Sequence, residues 1–146
     1  MKNRYCFVII LVFLFGFLNA EEKPSPDFYN VKNFGAAGDG IQLDTESINA
    51  AIEAAEKAGG GIVFFPAGKY LSFSIHLKSN ITLFIGQGAS IVAANMDEVS
   101  GGYDAPEPNV WGDLKYQDFG HSHFHNSLIW GENLENISIV GPGMIW

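Results

Sequence analysis

Five short apolar runs crowd the segment between Ile62 and Val92. They are Ile62–Phe65, Tyr70–Phe73, Ile75–Leu77, Ile81–Ile85 and Ser90–Val92. Their β-branched and aromatic residues mark strands, and the Gly, Pro and Asn between them mark turns. Parallel strands of an ordinary α/β sheet need crossovers of about a dozen residues or more. The gaps here hold only a few residues. Two arrangements remain: antiparallel hairpins, or a coil in which each strand turns a corner onto the next wall. The unbroken run Ile62-Val63-Phe64-Phe65 predicts a strand buried on both faces or stacked in a parallel sheet.

An internal similarity favours the coil. Asn80-Ile81-Thr82-Leu83-Phe84-Ile85-Gly86-Gln87-Gly88 resembles Asn136-Ile137-Ser138-Ile139-Val140-Gly141-Pro142-Gly143. A strand–turn unit stacked on itself is the signature of a solenoid. Stacked repeats would bring Asn80 and Asn136 together to share amide hydrogen bonds. Both also match an N-glycosylation acceptor sequence. A structural role is expected, because each directly precedes a strand.

Upstream, Tyr29-Asn30-Val31 begins a short strand. Phe34 to Gly40 is a glycine-rich turn ending in the turn pair Asp39-Gly40. A calcium loop there lacks regularly spaced oxygen ligands. A helix is expected over about 44–58. Asp44 or Thr45 is placed to accept hydrogen bonds from its first-turn amides, and Gly59-Gly60-Gly61 ends it. Ile48, Ala51, Ile52 and Ala55 share one face. That face is built mostly of small residues, so the helix can lie close against a flat surface. A lid over the end of a strand stack is the expected role.

The first twenty residues differ from the rest. Lys2 and Arg4 precede an apolar run from Phe7 to Leu18, and Ala20 offers a small residue for cleavage. This reads as a secretory signal peptide over 1–20, with residues 21–146 as the mature chain. The run is short for a membrane span, and an uncleaved membrane anchor is the alternative reading. Cleavage removes the only Arg and the only Cys, and leaves six lysines against sixteen acids, a formal charge of −10. Disulfides are thereby excluded. So acidic a surface repels phosphate backbones, which argues against nucleic acid as a partner. No membrane association is expected after cleavage.

Residues 94–126 break the pattern. This stretch holds Tyr103, Trp111, Tyr116, Phe119, Phe124, His121, His123 and His125, is rich in Gly, Pro and acids, and has no sustained period. A long irregular loop with this aromatic content is a candidate functional segment. Trp111 and Tyr103 offer flat faces for the C–H surface of sugar rings. They serve equally well as loop anchors. On an extended strand His121, His123 and His125 would share one face, about 7 Å apart. Two of them with Asp113 or Asp118 make a conceivable zinc set. Polar contacts to a sugar are the favoured reading, with no metal and no cofactor expected. His76, between Ile75 and Leu77, points outward and is assigned no function.

The chain from Tyr29 to Ile145 resembles a known family. Asn33-Phe34-Gly35-Ala36, Gly38-Asp39-Gly40, Asp44-Thr45, Gly60-Gly61 and Phe65-Pro66-Ala67-Gly68-Lys69-Tyr70 are phrases of the pectin-lyase-like β-helix superfamily. Ile75-His76-Leu77-Lys78-Ser79-Asn80-Ile81-Thr82-Leu83 with Gly88-Ala89 looks like the polygalacturonase-like glycoside hydrolases of family 28. So does Ser127-Leu128-Ile129-Trp130-Gly131 with Asn136-Ile137 and Gly141-Pro142-Gly143. The resemblance implies an all-β fold, a right-handed parallel β-helix with an N-terminal capping α-helix. It also implies inverting hydrolysis of pectic polysaccharide, which needs an acid on one side of the glycosidic bond and a base on the other.

The family's catalytic phrases are Asn-x-Asp, Asp-Asp, Gly-His-Gly and Arg-x-Lys. Asp-Asp, Gly-His-Gly and Arg-x-Lys are absent. Asn95-Met96-Asp97 and Gly120-His121-Ser122 sit too early. The expectation is therefore an N-terminal portion of a secreted or periplasmic polygalacturonase-like hydrolase, truncated on its C-terminal side. It carries no catalytic residue, its partner is a pectic polysaccharide or oligosaccharide, and the full-length protein is a monomer. Two alternatives stay open: a non-catalytic glycan-binding β-helix of the tailspike or adhesin kind, and a pectate-lyase-like β-eliminating enzyme.

Overall fold

The computed structural model describes residues 27–107 and 124–146. Strands β1 (Phe28–Asn30) and β2 (Asp39–Leu43) precede the helix α1 (Thr45–Lys57). Strands β3 (Gly61–Phe65), β4 (Gly68–Ser72), β5 (Ile75–His76), β6 (Ile81–Ile85) and β7 (Ala89–Ala93) follow in close succession. Strands β8 (Ile129–Trp130), β9 (Ser138–Val140) and β10 (Met144–Ile145) complete the set.

The strands form three sheets, β1-β3-β6-β9, β2-β4-β7-β10 and β5-β8. Every pairing is parallel. Hairpins are therefore excluded among the described strands. Strands adjacent in sequence belong to different sheets, so short corners suffice where a crossover helix would not fit. The described chain is mostly β, with parallel sheets and one α-helix.

The register carries the core. Val63 lies beside Leu83, which lies beside Ile139, and Tyr70 lies beside Ile91. Val63, Phe65, Tyr70, Ile75, Ile81, Leu83 and Ile91 are all fully buried. In β6 burial alternates strictly, so Ile81, Leu83 and Ile85 point inward while Thr82 and Phe84 do not. The same alternation overturns one reading of β3. Its side chains look continuously apolar, yet only Val63 and Phe65 are buried. Phe64 stands outside, where its ring meets Phe28 at 6.3 Å and Phe84 at 5.8 Å. The apolar run reflects an aromatic stack on the outer face, not a strand covered on both sides.

Helix α1 lies where the 3.6-residue period places it. Ile48, Ala51, Ile52 and Ala55 are fully buried against the sheets. Burial of a side chain such as Ile48 or Ile52 stabilises by roughly 1.5–3 kcal/mol. Its capping differs from the sequence expectation. Asp44 makes no side-chain bond to the first turn. Its two oxygens accept from the amides of Ala37 at 2.6 Å and Gly38 at 3.1 Å, tying the glycine-rich turn to the helix start. Burial pushes its carboxyl up, against the pull of those two amides. Thr45 is also engaged elsewhere, accepting from the Phe73 amide at 2.9 Å. At the other end Gly60 donates to Ala55 O at 2.9 Å. A Cβ at Gly60 would sit 2.5 Å from Asn80 O, and φ there is +127°, so only glycine fits.

The expected Asn pair is present. Asn136 donates from Nδ2 to Asn80 Oδ1 at 2.9 Å. Both residues hold positive φ, a conformation Asn tolerates better than most residues. The segment Tyr29–Val31 is a strand only as far as Asn30. Val31–Phe34 is a 3₁₀ turn ended by Gly35 at φ 102°.

Candidate functional site

The short β5-β8 sheet is the platform of a polar cluster. Its register sets His76 beside Trp130 and Ile75 beside Ile129. Ile75 points into the core, so its neighbour His76 points away from it. Helix α1 fixes this strand from behind. Asn49 accepts from the His76 amide at 2.9 Å and donates to Ser74 O at 3.0 Å.

The chain after β7 returns over this platform. The Asp104 amide donates to Ser74 Oγ at 3.0 Å, and Ser74 Oγ donates to Ser127 O at 2.9 Å. One buried hydroxyl thus ties together the two ends of the irregular segment. Asp104 Oδ2 then accepts from Trp130 Nε1 at 2.7 Å and lies 2.6 Å from His76 Nε2. An ionised carboxylate only accepts, so Nε2 carries the proton in this arrangement. Burial pushes the Asp104 carboxyl up, but the hydrogen bonds from Trp130 and His76 outweigh it and hold the group below its ordinary range.

Trp130 is the centre of the cluster. The His125 ring lies over it at 3.9 Å and 33°, and the His76 ring meets it edge-on at 5.3 Å. His125 Nε2 is 2.7 Å from Glu132 Oε1 and 3.7 Å from Glu107 Oε1. Glu107, His125 and Glu132 bring three donor atoms of metal-binding type within 4.8 Å of one another.

The sequence candidates fare differently. His125 belongs to the cluster, but on a 3₁₀ turn, Phe124–Asn126, and not on an extended strand. Tyr103 is anchored elsewhere: its hydroxyl donates to Ala94 O at 2.9 Å and its ring packs edge-on against Phe73 at 5.1 Å. Burial pushes its phenol up. Trp111, His121 and His123 lie outside the described residues, as do Asp113 and Asp118. Sequence reasoning passed over His76, Asp104, Glu107, Trp130 and Glu132. Only His76 left a signal, an ionisable residue between two aliphatics at a position that must face outward.

Parallel ladders joined by tight corners, with one helix laid against them, define a pectin-lyase-like protein. The family model described as "Rhamnogalacturonase A/epimerase, pectate lyase-like" matches residues 28–116, and the chain belongs to that family. The family 28 exopolygalacturonase of Yersinia enterocolitica is structurally similar, with a TM-score of 0.62 and 32% identity, over 83% of this chain and 20% of that one. Mannuronan C5-epimerase AlgE6 of Azotobacter vinelandii is 60% identical over 70 residues, 48% of this chain and 8% of the relative. The plasmin and fibronectin-binding protein A of Streptococcus pneumoniae is 46% identical over 65 residues, 43% of this chain and 9% of the relative. The chain thus spans a small part of the length of each. Among the described residues no helix is long and apolar enough to cross a membrane.

Proposed function

We propose that this chain is a portion of a secreted, polygalacturonase-like glycoside hydrolase acting on pectic polysaccharide, and that it forms the helix-covered end of a right-handed parallel β-helix. One observation carries the reading. The structural likeness to the family 28 exopolygalacturonase extends over 83% of the chain at 32% identity, whereas the sequence likenesses to the epimerase and the plasmin-binding protein cover 48% and 43%. A match of that extent reaches beyond the glycine-rich turn and helix that β-helices of many activities share.

On this reading residues 94–126 and the cluster around Trp130 form one wall of a sugar-binding cleft. His125, Trp111, Tyr103, His121 and His123 are the proposed sugar contacts. Residues 1–20 act as a signal peptide, and the mature protein works outside the cytoplasm. The paired carboxylates of inverting hydrolysis belong to phrases this chain lacks. The 146-residue chain alone is therefore proposed to be inactive.

The test incubates the product of the complete gene, and separately this chain, with polygalacturonate and with alginate. Release of galacturonic acid by the former and none by the latter is the expected result. Epimerisation of alginate without hydrolysis by the complete protein would overturn it. A second reading is favoured by the likeness to the plasmin and fibronectin-binding protein: a binder that retains polygalacturonate without cutting it.

A further inference from the structure

We propose that Glu107, His125 and Glu132 form a site for one divalent transition-metal ion of the zinc class. Their donor atoms lie within 4.8 Å of one another. Metal–ligand bonds of about 2.0–2.2 Å in a tetrahedral arrangement hold donor atoms about 3.4 Å apart. The separations from His125 Nε2 are 2.7 Å to Glu132 and 3.7 Å to Glu107, which bracket that value. Side-chain adjustment closes the difference, and the more exposed partner is the one that must retreat. The Glu132 side chain is 57% exposed, against 24% for His125.

Two of the three ligands are held in place. The His125 ring leans over Trp130 at 3.9 Å and 33°, which restricts the directions in which Nε2 can point. Glu107 Oε2 accepts from the His125 amide at 3.3 Å, while its Oε1 faces Nε2. The ligand set is one imidazole nitrogen and two carboxylates. Calcium takes six to eight oxygens, and magnesium also prefers all-oxygen surroundings, so the nitrogen selects zinc and its neighbours. Two ionised carboxylates neutralise a dication. Three protein ligands leave a fourth position for water or for an oxygen of a bound molecule. Asp104 stands apart from this set, its Oδ2 already engaged by Trp130 and His76.

The test is calorimetric titration of the chelator-stripped chain with Zn²⁺, followed by the visible spectrum of its Co²⁺ form. One ion per chain is expected, with absorption bands of a low-coordinate nitrogen- and oxygen-ligated ion. Glu132→Gln and Glu107→Gln should each weaken binding by about tenfold or more, and His125→Asn should abolish it. Glu132 is exposed, so Glu132→Gln should leave the thermal melt unchanged and report on the ion alone. Failure to take up Zn²⁺ would reduce the cluster to an ion pair and overturn the site. So would uptake that survives Glu132→Gln and His125→Asn but is lost in His121→Ala/His123→Ala. Neither outcome depends on which polysaccharide the complete protein acts on.

Discussion

The sheets under α1 and the cluster around Trp130 are held by different physics. The sheets bury mainly aliphatic and aromatic side chains at their inward positions, from Val63 and Phe65 to Leu83 and Ile91, with Ser72 a polar exception. Their specification is local: a residue's neighbours in sequence decide which way it points. The cluster is held by hydrogen bonds between residues far apart, such as His76 to Asp104 and Ser74 to Ser127. Apart from the buried Ser74 its members are partly exposed, and each bond there contributes only about 0.5–1.5 kcal/mol net. The sheets should therefore survive loss of the cluster, while the cluster should not survive loss of the sheets.

The largest effect is expected from Phe65→Ala. Phe65 is fully buried and packs edge-on against Tyr70 at 5.4 Å. Its truncation should cost about 3–5 kcal/mol in urea unfolding and should also expose Trp130 to fluorescence quenchers. Quenching unchanged in that variant would show that the cluster stands independently. Gly60→Ala comes next. It forces a Cβ against Asn80 O at positive φ, and a loss of about 1–3 kcal/mol in the same experiment is expected. Asp44→Asn replaces one of two acceptor oxygens with an NH₂ group facing a backbone amide, at about 1–3 kcal/mol.

Asp104→Asn is the mildest, about 1 kcal/mol or less for so exposed a group. Its signature is pH dependence. The carboxyl of Asp104 is held below its ordinary range in the fold. Its contribution is therefore complete above the unfolded carboxyl's pKa, about 3.9, and fades as pH falls through the lower folded value. Asp44 runs the other way, because its carboxyl is raised in the fold. Its contribution is present below the unfolded pKa and is lost as pH rises through the raised value. As pH falls from 6 to 3, the melting-temperature deficit of Asp104→Asn relative to the parent should shrink and that of Asp44→Asn should grow. Parallel curves would break the contrast between the two regions.

The same division explains what could be read from the sequence. The helical face of Ile48, Ala51, Ile52 and Ala55 was legible because it repeats with the helix period. The Asn80–Asn136 pair was legible because the two strands carry the same phrase. The short gaps ruled out crossover helices but left hairpins open, and it was the repeated phrase that favoured stacking. The outward turn of Phe64 was hidden, since four apolar residues in a row do not say which alternate pair is buried. Asp44 was misread as a helix cap because its nearest free amides are in the first turn, while those it binds belong to Ala37 and Gly38. The cluster was largely illegible. Nothing in the local pattern reveals that β8 returns beside β5, and without that register His76, Asp104 and Trp130 are unrelated polar and aromatic residues.

The lateral pairing of Asn80 with Asn136 has an evolutionary consequence. It locks β6 to β9 at the mouth of each strand, on the far side of everything inserted between β7 and β8. The intervening segment is clamped at its exit by Ser74, whose hydroxyl accepts from the Asp104 amide, and at its re-entry by Ile75 and Leu77, whose amides donate to Leu128 O and Trp130 O. The ladders consequently impose no length on it. The residues between those clamps can change in length while the ladders keep their register, so a new ligand preference can arise there with little cost to the sheets.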